Sequence, residues 1–263
     1  MVSARELLGY EPIDIHTHLD HGVPGDSAEA SPGDRGKKHI CTPEHLKKGY
    51  DRVGIRCGAF STFASLLRTD RIEEENRYLF ELARTEDWIF QWVVVHPDRE
   101  ETFRQAEEML RSPKTLGIKI HPAYHGYDIT ARGDEIFSFA AGLGASVLMH
   151  PDALDKMAGF ADRYPDMTLI LAHLGGEEFL DAAAAARHGN ILVDTSGGAS
   201  SLNNVVERGV ERIGAERILF GTDTYAAGFQ TGRIVWAGIP DGDKKKILRD
   251  NARARFPRAF AAV

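Results

Sequence analysis

DIHTHLDH, residues 14–21, places three histidines and two aspartates within eight positions, directly behind the opening of an apolar run. His16 and His18 stand two residues apart. On a strand such residues share a face, with Cα atoms about 6.6 Å apart. Both imidazoles can then close on one ion at about 2.0–2.1 Å per bond. On a helix the same spacing splays the side chains. By itself the pair fits a metal site at a strand end or a polar turn rich in histidine, so the rest of the chain must decide.

Short apolar runs of the same kind recur along the 263 residues, each ending at a polar or glycine-containing motif and leading into a stretch of helical composition. The runs read as strands are PIDIH (12–16), VGIRCGAF (53–60), WIFQWVVV (88–95), LGIKI (116–120), ASVLM (145–149), MTLILA (167–172), NILVD (190–194) and RILFG (217–221). Strands alternating with helices pair in parallel through right-handed crossovers. Eight such units in roughly 250 residues have the size of a (β/α)8 barrel. The expected fold class is therefore α/β, a TIM barrel in one domain spanning 1–263, with room for slight distortion. A doubly wound sheet would carry a glycine-rich phosphate turn after its first strand, where this chain has histidines. Residues 21–43, HGVPGDSAEASPGDRGKKHICTP, read as a long loop after strand one: either an active-site rim that contacts substrate or a disordered insertion.

Composition narrows the partners. A formal charge of −7 argues against a nucleic-acid backbone or an anionic membrane as the main partner. No apolar stretch approaches the roughly 20 residues of a membrane span. The opening MVSARELLGYEP lacks a signal-peptide core, so a cytoplasmic location is expected. Cys41 and Cys57 are too few for a disulfide framework and lack zinc-finger spacing. A small-molecule substrate is the expected partner, and a homo-oligomer is left open.

The chemistry lies in what ends each strand: His16-Thr17-His18, His96-Pro97, Lys119-Ile120-His121-Pro122, His150-Pro151, His173-Leu174-Gly175-Gly176, Asp194-Thr195-Ser196-Gly197 and Gly221-Thr222-Asp223. In a barrel all these ends converge on one mouth, where catalytic residues collect. His150 and His173 read as members of that centre or as buried histidines satisfied by backbone. Asp223 reads as a member or as a cap of the next helix. Asp14, on the face of His16, reads as a supporting partner. Lys119 and His121 share a face and read as substrate contacts. His96 reads as structural, and His21, His39, His45, His125 and His188 as surface histidines.

DIHTH (14–18), GIKIHP (117–122), VLMHP (147–151), LAHLGG (171–176), VDTSG (193–197), LFGTD (219–223) and DNARARF (250–256), in this order, resemble the amidohydrolase superfamily. The resemblance is to the branch of amidohydrolase-related hydrolases, dicarboxylate lactonases and aminocarboxymuconate-semialdehyde-type decarboxylases. It implies His16, His18, His150 and Asp223 as ligands of one divalent metal, most often zinc, with Asp223 and His173 as catalytic acid–base groups. A second ion would enter if His173 and a carbamylated Lys119 were also ligands. TatD-type nucleases share DIHTHLD but need glutamates where this chain has Lys119/His121 and Gly221. Polymerase-histidinol-phosphatase-type phosphoesterases share only the HxH.

The main expectation is a metal-dependent hydrolase cleaving a C–N or C–O bond of a small polar molecule: an amide, cyclic amide, lactone or ester. Metal binding lowers the pKa of water from 15.7 toward about 7, on the order of 12 kcal/mol at 1.36 kcal/mol per unit. The alternative is a non-oxidative decarboxylase of an unsaturated or aromatic acid, with Lys119 or an arginine such as Arg56 clamping the carboxylate. A barrel that binds metal without activity is the remaining reading.

Overall fold

The computed structural model describes residues 9–21 and 41–261 together with Glu6. The loop expected at 21–43 therefore lies, from 22 to 40, outside the described residues, as does His39. Eight strands are present: β1 (Ile13–Leu19), β2 (Cys57–Thr62), β3 (Ile89–Val94), β4 (Thr115–Ile120), β5 (Ser146–Met149), β6 (Thr168–Leu171), β7 (Ile191–Asp194) and β8 (Ile218–Leu219). They pair in parallel in sequence order. Single backbone bonds join the last strand to the first: Ile15 N–H to Phe220 O (2.9 Å), and Thr222 and Asp223 N–H to His16 O (3.1 and 2.8 Å). The expected (β/α)8 barrel is the observed fold.

The strands are buried on both faces, β1 through β6 without exception. Helices outside and side chains inside cover them, which is why they read as continuous apolar runs rather than as alternating ones. Three strands differ from the sequence reading by more than one residue at an end. The first strand continues through His18 to Leu19. The second begins at Cys57 because Pro43–Val53 is a helix that the apolar pattern did not reveal. Thr42 caps that helix by accepting the His45 N–H, Pro43 opens it, and Gly54 ends it at φ 75°. The eighth strand is two residues long.

The DNARARF motif closes the end of the barrel opposite the strand C-termini. Asn251 Nδ2 donates to Ala215 O and Ile218 O, both at 2.7 Å, at the start of β8. Phe256 meets Trp92 edge-on at 5.8 Å, and Phe260 meets Phe90 at 4.8 Å. Trp92 is buried and donates its indole N–H to Ile15 O at 2.7 Å. Space for that indole is made by Gly117, where a Cβ would stand 2.6 Å from the Trp92 ring and 2.2 Å from Ser146 O. No helix among the described residues is long and apolar enough to cross a membrane.

Gly117→Ala is expected to lower stability by about 1–3 kcal/mol, the usual cost of overpacking. In a chain of this size that is several degrees in Tm. Thermal unfolding reads it, and an unchanged Tm would show that β4 and β5 do not approach as closely as described.

Candidate metal centre at the strand C-termini

β1 presents His16 and His18 toward the barrel mouth, their rings 5.1 Å apart and edge-on. His121, His150 and His173 stand one or two residues beyond the last residues of β4, β5 and β6. Asp223 reaches the same place because its N–H bonds the His16 carbonyl. Its backbone, like that of His173 and Thr224, is left-handed, with φ of 54°, 63° and 60° respectively. Non-glycine residues adopt that region at a cost and gather in it where the surrounding structure fixes them for function.

The side chains form one contiguous group. His18 Nε2 lies 3.1 Å, and His16 Nε2 3.9 Å, from Asp223 Oδ1, and His173 Nδ1 lies 3.9 Å from Asp223 Oδ2. His16 and His173 stack with ring centres 4.9 Å apart. One ligand atom from each of His16, His173 and Asp223 falls within 4.8 Å of the others. His150 joins through an edge contact with His173 at 5.2 Å, and its Nδ1 is buried with no hydrogen-bond partner. On its other side His150 stacks on His121 (3.9 Å), which stacks on Tyr124 (4.0 Å).

The carboxylate of Asp194, at the end of β7, organises the group. Its Oδ2 accepts from His16 Nδ1 at 2.9 Å, and its Oδ1 accepts the N–H of His173 at 3.2 Å and of Ser196 at 2.8 Å. A carboxylate only accepts, so the His16 proton sits on Nδ1 and the Nε2 lone pair faces the centre. Ser196 Oγ lies 2.9 Å from both His16 Nδ1 and His173 Nδ1. His18 Nδ1 is held at 2.9 Å by Ser61 Oγ of β2, which leaves Nε2 toward Asp223. Gly197, at φ 75°, closes the rear; a Cβ there would stand 2.6 Å from His173 Nδ1.

Lys119 is buried with Nζ 3.0 Å from His16 Nε2. Burial pushes its amine down to about 8, an effect partly offset by Asp223 and Asp194. Burial, reinforced by Lys119, also holds His16 well below the ordinary imidazole range, and burial lowers His150 to about 3. His121 is lowered by burial and by His150. For Asp223 burial opposes ionisation, but the imidazoles of His173 and His18 outweigh it and keep the carboxylate charged. The centre thus offers imidazole nitrogen donors and the anionic carboxylate of Asp223. This donor set, its mutual distances and the unpartnered His150 Nδ1 fit a divalent metal of the zinc or manganese type.

Of the other residues, some fall elsewhere than expected. Asp14 supports the backbone rather than the His16 ring: it accepts from His16 N–H and Thr222 N–H (both 3.1 Å), Thr222 Oγ1 (2.5 Å) and Tyr50 OH (2.6 Å), locking β1 to the turn after β8. Burial raises its carboxyl to about 7 against these hydrogen bonds. Asp223 caps no helix; the next one begins at Ala227. His96 is structural, contacting His125 O at 3.2 Å and accepting the Asp98 N–H at 3.1 Å. His125 is buried rather than superficial, its Nε2 against Ser65 O at 3.1 Å. His21 is partly buried and bonds Glu75, whereas His45 and His188 are exposed. Arg56 precedes β2 and so sits at the opposite end of the barrel, unable to clamp a substrate here. Asp194, Ser196 and Ser61 are the functional partners that the spacing of the sequence did not single out. For Asp194 and Ser196 the one signal is VDTSG (193–197) at a strand end; Ser61 has none.

Asp194→Asn is expected to free the His16 tautomer, because the amide can donate as well as accept. Histidine-selective 15N NMR should show His16 protonated at Nδ1 in the wild type and a mixed or reversed population in the variant. The same tautomer in both would remove Asp194 from its orienting role.

The Amidohydro_2 model of amidohydrolases matches residues 13–258. No curated protein matches. Among solved structures the chain is similar to a dihydroxybenzoic acid decarboxylase from Polaromonas sp. JS666 with bound manganese and the inhibitor 2-nitroresorcinol. That likeness has 17% identity, 94% of this chain and 97% of that one covered, and a TM-score of 0.75. It is also similar to a 2,6-dihydroxybenzoate decarboxylase from Rhizobium (17% identity, 94% and 98% covered, TM-score 0.73). A proposed 2-pyrone-4,6-dicarboxylic acid hydrolase from Pseudomonas putida gives 17% identity, 95% and 98% coverage and a TM-score of 0.68. These likenesses establish the fold, and with the family model spanning nearly the whole barrel, the chain belongs to the Amidohydro_2 family of amidohydrolases.

Proposed function

We propose that this protein is a metal-dependent, non-oxidative decarboxylase of a small aromatic or otherwise unsaturated carboxylic acid. The observation that carries the reading is Lys119: a buried amine at the floor of an imidazole-lined mouth, placed to neutralise a carboxylate that has left water. Support comes from the decarboxylases of dihydroxybenzoic acid among the structural neighbours, one of them holding manganese. His16, His18, His150 and Asp223 are the metal ligands in this reading, and either manganese or zinc suits them. A divalent ion held there supplies Lewis-acid polarisation of a substrate oxygen.

The chain's own groups carry the rest. Lys119 holds the carboxylate, and the His121–Tyr124 stack offers a flat wall beside the mouth. His173, oriented by Ser196, gives a proton to the ring carbon that bears the carboxylate. The carbon–carbon bond then breaks, its electron pair returns to the ring, and carbon dioxide leaves, with no change of overall oxidation state. His173 recovers its proton from water, and Asp223, kept ionised, faces its Nδ1 at 3.9 Å. A second reading, hydrolysis of a lactone or ester, is favoured by the ionised Asp223, which can take a proton from an attacking water, and by the pyrone hydrolase neighbour.

A panel of hydroxybenzoic and unsaturated acids, assayed for carbon dioxide release against lactone and ester cleavage, separates the two. Turnover in D2O should leave deuterium at the vacated carbon. Chelation should abolish activity, and Mn2+ or Zn2+ should restore it. His173→Asn is expected to lower kcat by about 10²–10⁴, the usual contribution of a positioned acid, while retaining metal. Lactone cleavage without carbon dioxide release would replace the decarboxylase reading by the hydrolase one.

A further inference from the structure

At the opposite end of the barrel from the histidines lies a cavity of about 190 Å³, between the starts of β4 and β5 and the C-terminal helices. Its lining includes Ser112, Thr115, Ser146, Arg255 and Arg258, and no aspartate or glutamate. In a chain of net charge −7, a recess with two guanidinium groups and no carboxylate calls for an explanation. Among the described residues, no acidic group pairs with either arginine. Arg258 Nη2 donates to Arg111 O at 2.9 Å. Arg255 Nε is buried and has no hydrogen-bond partner, and burial alone lowers its pKa. A buried guanidinium N–H without an acceptor is costly, and none of the described residues supplies one to Arg255 Nε.

We propose that this cavity binds a small oxyanion of the phosphate type, and that the bound anion fastens the C-terminal helices Asn251–Arg255 and Pro257–Phe260 to the barrel floor. Guanidinium forks match the paired oxygens of such an anion. Hydroxyl groups from Ser112 and Ser146 suit the remaining tetrahedral oxygens. The cavity is smaller than the roughly 300–1,000 Å³ of sites for drug-sized ligands, so the ligand is inorganic phosphate or the phosphate of a small monoester. The site is separate from the metal centre: Thr115 and Lys119 lie at the two ends of β4, about 13 Å apart at 3.3 Å per residue. The inference does not rest on the proposed decarboxylase activity.

Thermal unfolding of the full chain at constant ionic strength tests it. Inorganic phosphate should raise Tm saturably, as a ligand of the folded state does, and acetate should not. Glycerol phosphate in a parallel arm identifies the source: a larger shift than with inorganic phosphate assigns the site to monoesters, and a smaller one to the free anion. Arg255→Gln and Arg258→Gln should each remove most of the shift, whereas Lys119→Met, which removes the cation of the metal centre, should retain it. Line broadening of 31P resonances reads binding directly even if a variant melts early, with Kd raised about tenfold or more in Arg255→Gln. A shift that never saturates, that survives in both arginine variants, or that is lost in Lys119→Met would overturn the proposal.

Discussion

The carboxylate of Asp194 is the interaction on which the mouth of this barrel depends. From the end of β7 it accepts one hydrogen bond from a β1 side chain, one from the backbone after β6 and one from its own strand's exit. It thereby fixes the ring of His16, the entry angle of His173 and the placement of Ser196 at once. Hydrogen bonds to a charged group contribute about 1.5–3 kcal/mol each, and removing a shared buried acceptor strands all its donors together. Three elements far apart in sequence are thus held in one geometry by a group that need never touch a substrate.

The seam between β8 and β1 supplies the second constraint. β8 is too short to form a full ladder with β1, so closure relies on three backbone bonds and on Asp14, which gathers four donors from β1, the turn after β8 and Tyr50. The turn it secures contains Asp223 and Thr224 in left-handed backbone. Barrel closure and the positioning of the acidic group at the centre are consequently the same event: the bond that brings Asp223 to the site also joins the last strand to the first.

Much of this was legible in the sequence because parallel strands buried on both faces read as apolar runs, and seven of the eight runs here end in a residue able to do chemistry. The pairing of His16 with His18, and the convergence of His150, His173 and Asp223, follow from that pattern once a barrel is inferred. What the sequence did not show depends on contacts across the sheet. His16 meets Asp194 across 178 positions and Ser61 meets His18 across 43, with no periodicity linking either pair. Arg56 reads as mid-strand within 53–60 but precedes β2, because the helix Pro43–Val53 and its Gly54 cap take the start of that run and the strand begins only at Cys57. His125 looked superficial, yet a short turn of helix after Pro122 carries it inward.

The centre combines imidazoles, carboxylates and a buried amine within a few ångströms, an arrangement that a bound cation and an anionic substrate would complete together. The most direct measurement is diffraction from crystals grown with Mn2+ and an aromatic carboxylate, with the ion located by anomalous scattering. The account predicts one ion on His16, His18, His150 and Asp223, with the carboxylate directed at Lys119. An ion bound away from these four side chains, or a carboxylate seated without contact to Lys119, would contradict it.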